Sequence, residues 1–424
     1  MSFEKFRLNE KVMAGVRTAG YKEPTPIQAQ AIGPILEGRD ILGLAQTGTG
    51  KTAAFVLPLL HRLMQGRRGR VRALVLAPTR ELAEQTHEAI LQLGRKTGLT
   101  SATVYGGVSI TNQIAGLRSC VDVVCACPGR LLDHIGRGTI DLSALDTLIL
   151  DEADHLFDMG FLPDVRRIVR HLPTRRQTLL FSATMPAEVR SLAKDLLDNS
   201  VHIEIGRQAP AATVSHKFYP VQTGQKTALL RDILEKTDMP SALVFTRTKS
   251  RAKSLAAQLC KIGHKATSLH GNLTQQKRRQ SLDGFRDGRY EVMIATDIAA
   301  RGIDVTGISH VINYDMPATS DAFIHRIGRT GRAEKTGDAL SFITGEDATL
   351  LRSLKKLLGE KWKYQAVSGL TVSPADCENA PAAVRSARPV CGRKSVSSRT
   401  SSVKRSGGRS FSDAGWLSRA PQTA

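Results

Sequence analysis

The sequence predicts an α/β protein of two tandem units with parallel sheets, followed by a basic tail. Three observations predict it. Short apolar, β-branched runs alternate with helical stretches over most of the chain, as buried parallel strands joined by crossovers do. Two of these runs end in polar motifs at the place where open α/β sheets bind ligands. From about Ala380 the character changes: between Ala380 and Ala424 nine Arg/Lys stand against one acid, Asp413, with ten Ser. No core forms from that composition, so disorder is expected there.

The first polar motif is acidic. Thr147-Leu148-Ile149-Leu150 reads as a buried strand, and Asp151-Glu152-Ala153-Asp154 follows it directly. A solvated acidic turn explains such a cluster equally well when it stands alone. The second motif decides between the readings. Asp40-Ile41-Leu42-Gly43-Leu44 leads as a strand into Ala45-Gln46-Thr47-Gly48-Thr49-Gly50-Lys51-Thr52, and Ala53 onward reads as a helix. Glycines let backbone N–H groups turn inward and cradle phosphate oxygens at a helix N-terminus. Lys51 is placed to reach the β- and γ-phosphates, and the Thr52 hydroxyl to bind Mg²⁺. Ala45 stands where the pattern usually opens with Gly, while Gly50 to Thr52 keep it intact. Loop and acidic strand end together make a nucleotide site the stronger reading.

Composition narrows the partner. The chain has 424 residues, enough for two or three domains, and a formal net charge of +21 from 60 Lys+Arg against 39 Asp+Glu. Such an excess points to a polyanion, with nucleic acid the first candidate. There is no long basic amphipathic helix, no apolar run long enough for a transmembrane helix and no signal-peptide core, so a cytoplasmic protein away from membranes is expected. The six cysteines, at 120, 125, 127, 260, 377 and 391, lack metal-ligand spacing and read as reduced thiols. Cys125 and Cys127 fall on one face of a strand.

The remaining elements follow in order. Gly20-Tyr21-Lys22-Glu23-Pro24-Thr25-Pro26-Ile27-Gln28 is a rigid turn opening a helix, and the Gln28 amide is able to read an adenine edge. Strands are expected at Ala73–Ala77, Thr100–Tyr105, Val121–Ala126 and Gln177–Phe181. They end respectively in Pro78-Thr79-Arg80, Gly106-Gly107, Pro128-Gly129-Arg130 and Ser182-Ala183-Thr184. Each end alone passes as a turn or helix cap. Their recurrence at one topological edge argues for a surface that meets phosphate and sugar. Residues near Gly206 to Thr213 break the periodicity and read as a linker. The second unit has strands near Val214–Val221, Ala242–Thr246, Ala266–His270, Val292–Thr296, His310–Tyr314 and Ala339–Thr344. Helices at Lys249–Lys261 and Gln275–Arg286 lie between them. It has no phosphate loop. It does carry Asp297 to Asp304 and then His325-Arg326-Ile327-Gly328-Arg329-Thr330-Gly331-Arg332. Arg326, Arg329 and Arg332 would share one side of a helix opening, either as a solvated basic face or as fingers reaching a nucleotide on the first unit. The basic tail adds salt-dependent affinity for phosphate backbones, or merely solubility.

Together these motifs, in this order from Phe3 to about Leu358, resemble the DEAD-box ATP-dependent RNA helicases, and Val244-Phe245-Thr246-Arg247-Thr248-Lys249 with the short N-terminus resembles the bacterial RhlE-type branch. The resemblance implies two RecA-like domains, at 1–206 and 214–362, joined by a linker at 207–213 and followed by a disordered tail at 363–424. It implies ATP and Mg²⁺ as cofactors. Phe3, Tyr21 and Gln28 would hold adenine, Gln46, Thr47, Gly48, Thr49, Gly50, Lys51 and Thr52 the phosphates, and Asp304 the ribose. Asp151 would bind Mg²⁺ through water and Glu152 would be the general base. Arg329 and Arg332 would stabilise the transferring phosphoryl group. Asp154, Ser182, Thr184 and His325 would couple the ATP side to the RNA side. RNA backbone contacts would come from Pro78, Thr79, Arg80, Gly107, Gly129, Arg130, Gln275, Arg278 and Thr296. RNA would be bound in a sequence-tolerant way by a monomer, with ribosomal particles or RNA-decay machinery as possible settings.

Three residues depart from the family pattern: Cys127 in place of Thr, Asn272 in place of Asp, and His155 where Arg is frequent. Three rival readings stay open. They are a DNA-directed or general translocating helicase, an ATP-gated RNA clamp or annealing chaperone, and a non-enzymatic RNA binder relying on its tail.

Overall fold

The computed structural model describes residues 2–46, 48–205, 214–300, 308–331, 336–359, 362–365, 375 and 377. Among them, fourteen strands form two sheets of seven. The first sheet contains β1 (Ile41–Leu44), β2 (Ala73–Leu76), β3 (Ser101–Val104), β4 (Val123–Ala126), β5 (Thr147–Leu150), β6 (Gln177–Ser182) and β7 (Val201–Glu204). The second contains β8 (Val214–Pro220), β9 (Ala242–Phe245), β10 (Ala266–Leu269), β11 (Val292–Ala295), β12 (His310–Asn313), β13 (Gly337–Ile343) and β14 (Trp362–Tyr364). Every pairing within them is parallel.

The two sheets have one topology. Their orders are β3-β4-β2-β5-β6-β1-β7 and β10-β11-β9-β12-β13-β8-β14, which superpose strand for strand when seven is added to each number. This is the doubly wound arrangement of two tandem RecA-like domains. Alternate residues of each strand face opposite sides. Val75, Ile149 and Leu179 pack into one apolar cluster with the helices Lys51–Leu63 and Arg80–Leu93. Their neighbours Leu74, Leu148 and Leu180 pack into another, with the helices Pro128–Gly136, Leu162–Val169 and Ala187–Leu196. In the second sheet Val244, Ile294 and Ile312 face one cluster and Leu243, Met293 and Val311 the other. Burial on both faces explains why the strands read as continuous apolar runs rather than alternating ones.

The expected core strands are all present, within a residue or two at their ends. The edge strands β7 and β14 were not expected. Each is short and half solvated, with Val-His-Ile-Glu and Trp-Lys-Tyr lacking a continuous apolar run. β14 pairs with β8 and ends at Tyr364, two residues beyond the expected domain boundary at 362. The linker at 207–213 and, apart from residues 363–365, 375 and 377, the expected tail lie outside the described residues. Cys377 corrects the expectation of disorder from 363 onward: it is fully buried and packs with Val214, Phe218 and Ile343 of the second domain. Among the described residues no helix is long and apolar enough to cross a membrane.

Candidate active site

The sheet order brings the two polar motifs together. β6 lies between β5 and β1, so the loop after β1, the acidic turn after β5 and the Ser182–Thr184 turn after β6 share one edge. In the loop, the Ala45 N–H donates to the Ser182 carbonyl at 3.0 Å, and Thr49 Oγ1 donates to the Gln46 carbonyl at 2.7 Å. Gly48 and Gly50 adopt φ of 83° and 91°, a left-handed backbone that side chains resist. Gly50 also has a close neighbour: a Cβ built there lies 2.5 Å from Gln28 Nε2. Lys51 opens the following helix, and its buried ammonium donates to the Ala45 carbonyl at 2.9 Å. Thr47 lies outside the described residues.

Gln28 is buried. Its amide oxygen accepts from Thr25 N–H at 2.9 Å and its amide nitrogen donates to the Gly50 carbonyl at 3.1 Å, fastening the N-terminal segment to the phosphate loop. Phe3 is buried with its ring 6.1 Å from that of Tyr21, which is 41% exposed.

The acidic turn is locked in place. Asp154 Oδ2 accepts from the N–H of Ala183 and Thr184 and from the Thr184 hydroxyl at 2.9–3.2 Å, and its own N–H donates to Ser182 Oγ. Burial works against the Asp154 charge, but His155, His325 and Lys51 outweigh it and hold the carboxyl below its ordinary range. Burial pushes Asp151 up to about 7, opposed by Lys51 and reinforced by Glu152. Glu152 behaves oppositely: burial is overcome by His155, Lys51 and Arg329, and its carboxyl stays well below the usual range. It therefore remains ionised, at a backbone φ of 50°. Such a site, with a lysine, two distinct carboxylates and an approaching arginine, suits phosphoryl transfer to water.

The second domain reaches this turn. His155 Nε2 and His325 Nδ1 are 3.0 Å apart, and Arg329 lines the same cleft with both histidines. The expected helical row of arginines does not form. The helix Ser320–Ile327 ends before Arg329. Arg326 is buried, forks onto Asp297 at 2.5 and 2.8 Å, and also donates to Asn313 Oδ1 and the Asp315 carbonyl. It is structural, whereas Arg329 is placed near Glu152. Arg332 and Asp304 lie outside the described residues.

The expected RNA residues gather along the same edge. Thr79 caps the helix Arg80–Leu93, its hydroxyl accepting from Leu82 N–H at 3.2 Å. The Arg80 guanidinium lies over Gly107, where a Cβ would come within 2.3 Å of it, and contacts Gln275 of the second domain at 3.5 Å. Arg130 donates to the Val108 carbonyl and to Gln113. Pro78 and Thr296 lie in the turns after β2 and β11, and Gly129 lies in the first turn of the helix Pro128–Gly136 that follows β4. Arg278 is the exception: it is 8% exposed and pairs with Glu81 of the first domain at 2.7 and 2.8 Å. Glu81 had no signal in the sequence beyond being a helix-opening acid. Cys125 and Cys127 share a core cluster, and burial with Glu81 nearby pushes the Cys127 thiol up to about 12.

Comparison with known proteins fits this geometry. The DEAD/DEAH box helicase family matches residues 25–192, and the helicase conserved C-terminal domain matches residues 225–334. The DEAD-box ATP-dependent RNA helicase CshA of Bacillus subtilis is 41% identical over 362 residues, covering 85% of this chain and 73% of that protein. The chain belongs to the DEAD-box ATP-dependent RNA helicases. The CshA helicase of Listeria monocytogenes is 42% identical over 355 residues, 84% of this chain and 68% of its own. Among solved structures, S. cerevisiae Dbp5 bound to RNA and ADP BeF3 aligns with a TM-score of 0.77 at 32% identity, over 86% of this chain and 95% of that one. In this DEAD-box chain the docked second domain completes a site whose phosphate loop and carboxylates belong to the first.

Proposed function

We propose that this chain is an RNA-dependent ATPase that locally opens RNA duplexes or remodels RNA–protein complexes as its two domains close and reopen. The observation that carries this reading is the convergence of Lys51, Asp151 and Glu152 from one domain with His325 and Arg329 from the other. Glu152 is the base for the attacking water, being ionised and buried beside Lys51. Arg329 and Arg332 stabilise charge on the phosphoryl group, Phe3, Tyr21 and Gln28 hold the adenine, and Gln46 to Thr52 the phosphates, with Asp304 on the ribose. Thr52 and Asp151 suit Mg²⁺: they are hard oxygen donors, and among the described residues no cluster of three metal-binding side chains competes. When bound, Mg²⁺ neutralises phosphate charge.

RNA lies along the edge formed by Thr79, Arg80, Gly107, Gly129, Arg130, Gln275 and Thr296, held by backbone and 2′-OH contacts that tolerate any sequence. Only a bent single strand fits the closed edge, so closure parts a duplex locally, and loss of the γ-phosphate releases the domains. The working domains are 1–206 and 214–364, in a monomer of the cytoplasm, acting on ribosomal particles or with RNA-decay machinery. The motif at 244–249 supports the RhlE-type branch, although the relatives compared above are named CshA.

The Glu152→Gln variant tests the reading. Hydrolysis should fall by about 10²–10⁴, while ATP-dependent RNA binding survives and becomes long-lived. Undiminished hydrolysis by that variant would refute the base assignment. Equal stimulation of the unaltered chain by DNA and RNA would refute RNA selectivity.

A further inference from the structure

His155 takes no part in the chemistry assigned above, yet it is buried at the junction of the two domains. Its Nδ1 lies 2.8 Å from Glu152 Oε2 and its Nε2 lies 3.0 Å from His325 Nδ1, with the two rings edge to face at 4.7 Å. An ionised carboxylate only accepts, so the hydrogen between Glu152 and His155 sits on His155 Nδ1. His155 Nε2 then meets His325 Nδ1, and either ring can be the donor of that bond. Beyond it, His325 Nε2 has no hydrogen-bond partner among the described residues and stands 3.7 Å from Asp154 Oδ2, too far for a bond. The contacts run unbroken from His325 through His155 to Glu152.

Glu152 depends on this chain for its orientation. Its side chain is buried and sits on a left-handed backbone, and His155 is the one side chain hydrogen-bonded to its carboxylate among the described residues. The bond takes Oε2 and leaves Oε1 to receive a proton from water. His325 arrives from the second domain, so the chain is complete only when the domains are docked.

We propose that His155 is a positioning residue that transmits domain docking to the general base, holding Glu152 on the attacking water only when His325 has engaged. This inference rests on Glu152 being the base. It makes hydrolysis conditional on closure by a route separate from the arginine of the second domain. A carboxylate free to rotate loses alignment, and a misplacement of about 1 Å is enough to lower a rate roughly 100-fold.

The experiment compares steady-state ATP hydrolysis, with saturating single-stranded RNA, for the unaltered chain and for His155→Phe, His155→Gln, His325→Phe and His155→Phe/His325→Phe. Nucleotide affinity without RNA and the thermal midpoint are measured on each. His155→Phe should lower kcat by roughly 10- to 100-fold with nucleotide affinity and thermal midpoint unchanged. His155→Gln, which keeps a donor, should recover part of the rate. The double variant should be no slower than His325→Phe, because both substitutions break one chain. A His155→Phe enzyme with full kcat would overturn the proposal, as would a double variant whose losses multiply. Should His155→Phe unfold, His155→Leu, which also lacks a donor, gives the same decision in the same cycle. Failure of the unaltered chain to hydrolyse ATP with RNA would instead overturn the functional reading beneath it.

Discussion

The Glu81–Arg278 pair offers the sharpest energetic test of domain docking. Arg278 Nη2 and Nε both donate to Glu81 Oε1, at 2.7 and 2.8 Å, and both side chains are only 9% exposed. When the domains separate, both groups become hydrated. When they dock, each is stripped of water and depends on the other. Arg278→Ala therefore leaves an unpaired carboxylate in the docked state and little penalty in the separated one. Breaking a buried pair from one side costs about 3–5 kcal/mol. The lower figure alone corresponds to roughly a 150-fold shift away from docking at 1.4 kcal/mol per factor of ten. Removing both partners should be milder, since no charge is left stranded. The assay is energy transfer between one dye on each domain, titrated with RNA at saturating non-hydrolysable ATP analogue. Arg278→Ala should raise the RNA midpoint by two orders of magnitude or fail to close, and Glu81→Ala/Arg278→Ala should recover at least tenfold of that. A midpoint within twofold for Arg278→Ala, or a double variant as poor as the single, would refute the reasoning. Tighter RNA binding by Glu81→Ala would show instead that Arg278, once released, serves the RNA.

Three further outcomes follow from the site. Asp151→Asn should stabilise the nucleotide-free chain while abolishing hydrolysis: a carboxyl held at about 7 against an ordinary 3.8 costs at most on the order of 4 kcal/mol when ionised, and a thermal midpoint no higher than that of the unaltered chain at pH 8 would contradict this. Gly50→Ala forces a side chain into a backbone of φ 91° and onto the Gln28 amide; a cost of about 1–3 kcal/mol should weaken nucleotide binding by one to two orders of magnitude, read by fluorescent-nucleotide titration. Docking should also depend on acid. Burial, then the neighbouring His155, pushes His325 down from 6.5 to about 4, so docking favours its neutral form. Its contribution is complete above pH 6.5 and is lost as the pH falls from there toward 4, which energy transfer should record and His325→Gln should flatten.

Most of what was legible in the sequence was local. β1, β2, β4, β5 and β6 are buried on both faces, so each betrays itself as an apolar run, and each polar motif sits within a few residues of its strand end. β7 and β14 escaped because an edge strand is selected by pairing rather than by hydropathy. The shared helical side expected of Arg326 and Arg329 does not form, because a three-residue repeat implies a common face only where the helix continues. Here the helix stops at Ile327, Asp297 and Asn313 claim Arg326, and Arg329 turns toward the other domain.

The contacts that join the domains were illegible for a different reason. Glu81 and Arg278 are 197 residues apart, and His155 and His325 are 170 apart. Nothing in either local sequence selects the other, because the selection is made by two sheets of identical order presenting the same edge to one cleft. His155 was visible only as a residue of unusual type after the acidic motif. Its meaning depends on His325, and that of His325 depends on docking. Hydrolytic residues in such a two-domain machine can be read from one half of the chain. The residues that make hydrolysis conditional need both halves at once, because a switch that worked within one domain would have nothing to report.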